Sequence, residues 1–300
     1  MIRILATVFA ALLGMAFGSF LNVCLSRWPE GESVVRPGSH CRSCGRTLAW
    51  WENFPLVSWL ALRGRCRTCK SRISWRYPLV ELAVGLLWAI VVWQAMRPHM
   101  DALASTPGPI SFSPWFLVLL AATALGKMLL TWMLIGLAVL DAEQLWLPDI
   151  ATLPGIVLGA AVALSRGDFL LGGGSASASR LLQCLNIAFA ILAAAGLVLL
   201  IRWVYWLVRR REGMGLGDAK LMAMLGAWLG LIGALESFAL AIFAATLAAL
   251  VWLLLLTIRS NTKEWAKLPL PLGTFLCLAA LPEIFYPNWL WNWYSRVFLP

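Results

Sequence analysis

The stretch Met214-Gly215-Leu216-Gly217-Asp218-Ala219-Lys220 decides how this chain is read. It sets an aspartate behind a Gly-x-Gly run, between two long apolar segments. A carboxylate at a membrane boundary is costly and seldom retained for packing. Gly215 and Gly217 permit a close backbone approach, or conformations closed to other residues, and Lys220 is the nearest supporting charge. One aspartate alone does not carry out acid–base hydrolysis. The partner that the sequence offers is Asp141, which ends another apolar segment. The two are expected to form a carboxylate dyad of the aspartyl-protease kind at the cytoplasmic edge of a membrane.

Composition sets the class. Of the 300 residues, 61% are hydrophobic and 13% charged, and mean hydropathy is +0.80. A soluble domain is closer to about half apolar and a quarter charged. The expectation is therefore an all-α polytopic membrane protein. The net charge of +10 reads as Lys and Arg gathered in cytoplasmic loops, with no nucleic-acid partner and with membrane lipid as the surroundings.

Apolar runs predict about eight spans, at 4–23, 78–96, 115–140, 150–164, 181–208, 221–235, 238–258 and 268–285. Between them lie a long polar loop over 25–77, loops over 97–113 and 166–180, a short polar link over 141–149, and a polar inner loop over 259–267. Apart from the Gly/Ser tract at 172–179, no repeat or low-complexity segment stands out. Eighteen of the 24 Lys and Arg fall in segments predicted inside, five fall outside, and Lys127 lies within a span. That asymmetry predicts both ends outside and puts Asp141 and Asp218 on the cytoplasmic side.

Peptide hydrolysis by two carboxylates needs one ionised to take a proton from water and one protonated to polarise the carbonyl. Adjacent carboxylates share a proton because both cannot ionise cheaply. They titrate as a pair, so the sequence assigns neither role. The competing reading of Asp141 is a solvated helix end. For Asp218 it is a helix N-cap, which is compatible with catalysis. Neither His40 nor His99 is placed as a base for a nucleophilic serine, and no His-Glu-x-x-His motif exists. Lys127 stands about four turns, roughly 20 Å, before Asp141 on one helix, outside any dyad.

The polar loop carries the second signal. Cys41-Arg42-Ser43-Cys44 and Cys66-Arg67-Thr68-Cys69 are two Cys-x-x-Cys pairs. Two such knuckles supply four thiolates for tetrahedral zinc at a closed, structural site. Neighbouring arginines favour the thiolate, and a reducing cytoplasmic loop disfavours the alternative of two disulfides. A small loop with little apolar core needs such a staple. Cys24, Cys184 and Cys277 sit in apolar runs and read as packing residues.

These motifs together resemble the type IV prepilin peptidases, leader peptidases and N-methyltransferases of type IV pilus and type II secretion systems. The resemblance runs from Gly18-Ser19-Phe20-Leu21-Asn22-Val23 through both cysteine pairs, Leu62-Arg63-Gly64-Arg65-Cys66 and Arg76-Tyr77-Pro78-Leu79-Val80-Glu81-Leu82. It continues through Leu140-Asp141-Ala142-Glu143, Leu147-Pro148-Asp149 and residues 213–220, to about Ala280. It implies that Asp141 and Asp218 are the catalytic pair. It also implies cleavage of a basic prepilin or pseudopilin leader after a glycine at the inner face of the bacterial cytoplasmic membrane. Methylation of the new N-terminus with S-adenosylmethionine would follow.

Two positions depart from the family pattern. Gln144 stands where the family often has histidine. The family's Pro-Phe-Gly-Pro run is Pro271-Leu272-Gly273-Thr274 here, which bears on the shape of the substrate channel. The organisation expected is a first span at 1–24, a zinc-ribbon-like loop at 25–77 forming the methyltransferase region with the start of the second helix, and a peptidase core at 78–300. Positive-inside logic keeps a basic leader cytoplasmic, so the scissile bond meets Asp141 and Asp218 at the surface. No Gly-x-Gly-x-x-Gly marks a Rossmann site. Glu81 is the candidate for a methyl-transfer contact, against a helix-start carboxylate favoured by the dipole. Glu143 and Asp149 either shape the dyad's surroundings or are solvated. Two other readings compete: a peptidase without methyl transfer, against which the intact cysteine loop speaks, and a non-enzymatic assembly or transport protein. The latter would place charges along a path at mid-span, whereas here the acids cluster at one face.

Overall fold

A computed structural model describes residues 1–105, 114–166, 180–211, 214–258 and 270–298. The described residues form helices and turns, with two isolated antiparallel bridges and no extended strand. Five helices are long and apolar enough to cross a membrane, so the chain is a multi-pass membrane protein. Two shorter apolar helices, Asp149–Ser165 and Leu272–Phe285, accompany them. The expected loops over 166–180 and 259–267 fall largely outside the described residues.

The chain divides into two compact units, Met1–Gly136 and Leu137–Pro300. The first contains α1 (Ile2–Arg27), α2 (Val57–Ala61), α3 (Arg76–Ser105) and the start of α4 (Pro114–Gln144). Its α3 packs along α1, so the second membrane helix belongs here and not with a core beginning at residue 78. Small residues bring the two helices nearly backbone to backbone. A Cβ on Gly18 would lie 2.7 Å from Cα of Glu81, and one on Gly14 would lie 2.9 Å from Cα of Gly85. Asn22 donates through Nδ2 to the Tyr77 carbonyl at 3.0 Å. Trp88 and Trp132 satisfy their indole N–H groups on the carbonyls of Met128 and Phe17, both at 3.0 Å. In lipid, such polar atoms find partners inside the protein.

The second unit contains the end of α4, α5 (Asp149–Arg166), α6 (Arg180–Arg209), α7 (Leu216–Ile258), α8 (Leu272–Phe285) and α9 (Trp289–Phe298). Helix α7 is central and packs against α5, α6 and α8. Gly226 meets α6, where an added Cβ would be 2.6 Å from the Ala190 carbonyl oxygen. Trp228 fills the space left by Gly159 and donates to the Gly155 carbonyl at 2.8 Å.

At 43 residues, α7 would be about 65 Å long if straight, twice the hydrocarbon thickness. It breaks at Gly230, where φ is 77° and ψ 178°, a conformation that favours glycine. The two expected spans were divided instead at Glu236-Ser237, but these residues continue the helix, each with a hydrogen-bond partner there. The Ser237 hydroxyl donates to the Gly233 carbonyl at 2.7 Å, and Glu236 accepts the Trp291 N–H at 2.9 Å. Helix α9 itself was not anticipated. Its N-terminus is held by Glu236 and by Glu283, which accepts the Asn288 N–H at 2.8 Å. Its exposed Trp289, Trp291, Trp293 and Tyr294 are the residue types that settle at bilayer interfaces.

Candidate functional site

Helix α4 carries Asp141 in its last turns. Leu145 donates its N–H to the Asp141 carbonyl at 2.9 Å and takes a left-handed φ of 53°, which stops the helix. Pro148 then opens α5, its carbonyl accepting N–H groups from Ala151 and Thr152. The link expected over 141–149 is thus shorter than the sequence suggested, and Asp141 is helical. Its side chain is buried, with the residue 5% exposed, which removes the reading of a solvated helix end.

Asp218 is the third residue of α7, not its N-cap. Its Oδ2 accepts the Gly215 N–H at 3.2 Å, as an acid at this position does when it reaches back over the helix start. Arg202 on α6 holds the approach by donating to the Met214 carbonyl at 3.1 Å. The two glycines of the motif differ in role. A Cβ on Gly217 would be 3.1 Å from Cβ of Leu147, whereas one on Gly215 would meet nothing closer than 3.6 Å. Neither has a positive φ among the described residues, so close approach, and only at Gly217, is what the run provides. Lys220 is ion-paired to Asp149 at 2.6 Å, both partly exposed, and so does not engage the dyad through this contact.

Leu147 stands beside both Gly217, next to Asp218, and Gly273, against Asp141. Leu147 and α8 fill the space beside Asp141. A Cβ on Gly273 would stand 2.9 Å from Cγ of Asp141 and 3.0 Å from Cδ1 of Leu147. Thr274 donates to Asp141 Oδ2 twice, from its N–H at 2.6 Å and its hydroxyl at 3.0 Å. Leu147, Gly273 and Thr274 had no role assigned from the sequence, and Cys277 only that of packing. The one available signal was the run at 271–274, noted only as a departure. Glu143 and Gln144 are exposed beyond the end of the buried turn.

In the first unit the four cysteines converge. Their sulfurs all lie within 4.8 Å of one another, and Cys41 and Cys69 Sγ are 3.8 Å apart. Tetrahedral ligands at a Zn–S length of about 2.3 Å are separated by about 3.8 Å, so the set fits zinc or a similar metal. The knuckles are structural copies, although no repeat was read from the sequence. Each is closed by an antiparallel bridge, His40–Thr47 and Arg65–Arg72, and each turns through a positive φ, at Gly45 and Lys70. The Cys44 backbone N–H helps hold the Cys41 thiol down to about 6, and the Ser71 hydroxyl holds Cys69 below its ordinary value. Both favour the metal-binding thiolate. Arg46 holds the buried Glu52 carboxylate below the usual range through a 2.7 Å hydrogen bond, tying the knuckle to the following turn. Of the other cysteines, Cys24 and Cys277 are buried as expected, but Cys184 is exposed on α6.

Glu81 is buried, and its Oε2 accepts the Leu56 N–H at 2.8 Å. This pins the loop at a residue with φ 58°, a structural task the sequence did not reveal. Glu81 also lines a cavity of about 560 Å³ shared with Asn22, Arg27, Cys41, Cys66 and Tyr77. Asn22 Oδ1 in that wall is buried without a hydrogen-bond partner among the described residues.

Comparison with known proteins divides the chain similarly. Residues 12–95 match the bacterial peptidase A24 N-terminal domain, and residues 128–254 match the type IV leader peptidase family. The cysteines and Glu81 fall in the first match and both aspartates in the second. Similar proteins named prepilin leader peptidase/N-methyltransferase include one from Myxococcus xanthus, 37% identical over 84% of this chain and 64% of its own length. Those from Pseudomonas putida and Pseudomonas aeruginosa are 33% and 34% identical over 90% and 89% of this chain, and over 87% and 86% of their own lengths. No solved structure matches.

Proposed function

The chain belongs to the type IV leader peptidase family, and from that premise we propose that it cleaves the basic leader from prepilins or pseudopilins and methylates the new N-terminus. The observation that supports the peptidase reading is that Asp141 and Asp218, 77 residues apart in sequence, lie in one unit, with Leu147 beside both Gly273 and Gly217 next to them. Between the two acids a water and a peptide carbonyl are activated together. The pair stands where α4 ends and α7 begins. Positive-inside logic makes that level the cytoplasmic face of the inner membrane, with α5, α8 and the division of α7 in two raising the five long helices to eight spans.

Methyl transfer is assigned to the first unit. Its polar cavity has the size of a small-molecule site, and Glu81 with the unpaired Asn22 Oδ1 offers acceptors to the cationic, hydroxyl-bearing S-adenosylmethionine. That cofactor supplies an electrophilic methyl group. The residues of this chain bind and orient it and exclude water. Cys41, Cys44, Cys66 and Cys69 would hold zinc, which would staple the loop beside the cavity and, with four protein ligands, have no open position for chemistry.

The test is incubation of the full-length protein in detergent with a synthetic prepilin and labelled S-adenosylmethionine, scoring cleavage and methylation separately. Asp141→Asn and Asp218→Asn should each abolish cleavage and spare methylation of a pre-cleaved pilin. Substantial cleavage by either variant removes that residue from the dyad.

A further inference from the structure

We infer that Thr274 is the positioning residue that places the negative charge of the pair on Asp141 and leaves the proton on Asp218. The inference rests on the dyad reading above and adds the division of labour within it.

Thr274 is the third residue of α8. Its N–H has no acceptor within its own helix, as for every residue of a first turn. That N–H and the hydroxyl of the same side chain both point at one oxygen, Asp141 Oδ2, at 2.6 and 3.0 Å. Helix starts favour negative charge, and hydrogen bonds donated to a carboxylate favour its ionised form. Asp218 receives a single longer bond on Oδ2, from the Gly215 N–H at 3.2 Å. The Thr274 hydroxyl has an alternative acceptor, the Ala138 carbonyl at 3.0 Å. It carries one proton, so it serves Asp141 while that group is charged and turns to Ala138 when Asp141 gains a proton.

The other ionisable groups near this pair among the described residues include Cys277 of α8, which is buried, Glu143 of α4, which is exposed, and Asp149 of α5 and Lys220 of α7, which are ion-paired to each other. Both Thr274 bonds go to Asp141 Oδ2, which leaves Oδ1 to take the proton of water. As water oxygen bonds to the carbonyl carbon, Asp141 takes the water proton and Asp218 gives its proton to the carbonyl oxygen. When the C–N bond breaks, Asp141 returns its proton to the leaving nitrogen, and Asp218 recovers one from a hydroxyl of the tetrahedral intermediate. Atoms and protons balance, and both groups end as they began.

The experiment is kcat/KM for a synthetic prepilin across pH, using the full-length protein in detergent. Thr274→Ser keeps both donors, Thr274→Val removes the hydroxyl, and Thr274→Pro removes both, at a position in the first turn where proline is tolerated. The acid limb should move to higher pH by about one unit in Thr274→Val, further in Thr274→Pro, and not at all in Thr274→Ser. A single gel-filtration peak and an unchanged helical circular-dichroism spectrum of the same preparations report that each variant is folded. An acid limb fixed in all three variants, with activity merely lower, overturns the assignment. If Asp141→Asn still cleaves, the dyad itself is refuted. If Asp141→Asn is inactive while the limb stays fixed, only the role of Thr274 is lost.

Discussion

Gly273 is the space that Asp141 occupies: a single methyl group on the glycine would lie 2.9 Å from the carboxylate carbon. The first residues of α8 and the last turns of α4 therefore share one volume. A side chain can enter it only by moving the aspartate.

Gly273→Ala should reduce kcat/KM for leader cleavage by about a hundredfold, the scale expected when a reacting group is displaced by about 1 Å. Membrane insertion and methylation of a pre-cleaved pilin should be unchanged. Wild-type cleavage by this variant would mean that the packing around Asp141 is loose enough to absorb a methyl group.

The two motif glycines should part company. Gly217→Ala presses on Leu147 at 3.1 Å and should lower cleavage, whereas Gly215→Ala, with nothing nearer than 3.6 Å, should be close to neutral. Adding Leu147→Ala to Gly217→Ala should recover part of the loss, a coupling that a double-mutant cycle measures directly. Equal losses at both glycines would contradict the assignment of close approach to Gly217 alone.

Metal content gives an independent check on the first unit. Cys41→Ser or Cys69→Ser should lower bound zinc, measured by elemental analysis of purified protein, because removing one of four ligands opens the closed tetrahedron. Methylation should fall with the metal. Cleavage should be affected less, since both aspartates lie in the other unit. Unchanged zinc would remove these cysteines from the site.

The crossing of α1 and α3 should matter to one activity more than the other. Gly18→Leu places a bulky group where Cα of Glu81 stands 2.7 Å from an ideal Cβ, and must push Glu81 away from Leu56 and from the cavity. Methylation should be lost while leader cleavage persists. Equal loss of both activities would show that the units do not work separately.

Much of this was legible along the chain because lipid imposes blunt rules. Long apolar runs must be helices, so the extent of α1, α4 and α6 followed closely from composition. The paired Cys-x-x-Cys spacing announced a four-thiolate cluster, and the sulfurs converge as required. Asp141 and Asp218 could be singled out because acids at the ends of apolar runs are expensive. The break in α7 was misplaced for an equally physical reason. Glu236 and Ser237 look like an interruption, yet each has a hydrogen-bond partner, while the true break needs only the backbone freedom of Gly230.

Charge, hydropathy and cysteine spacing thus determined the class of protein and its cluster of thiols and singled out Asp141 and Asp218, since each is a property of residues and their neighbours in sequence. Which residues crowd or hydrogen-bond those acids was decided only by the fold. Leu147, Gly273 and Thr274 are ordinary residues whose importance lies in distance, and helices packed side by side bring α8 against Asp141 across more than 130 intervening positions. No local pattern records such a contact, because its free energy depends on where two helices meet and not on what either contains alone.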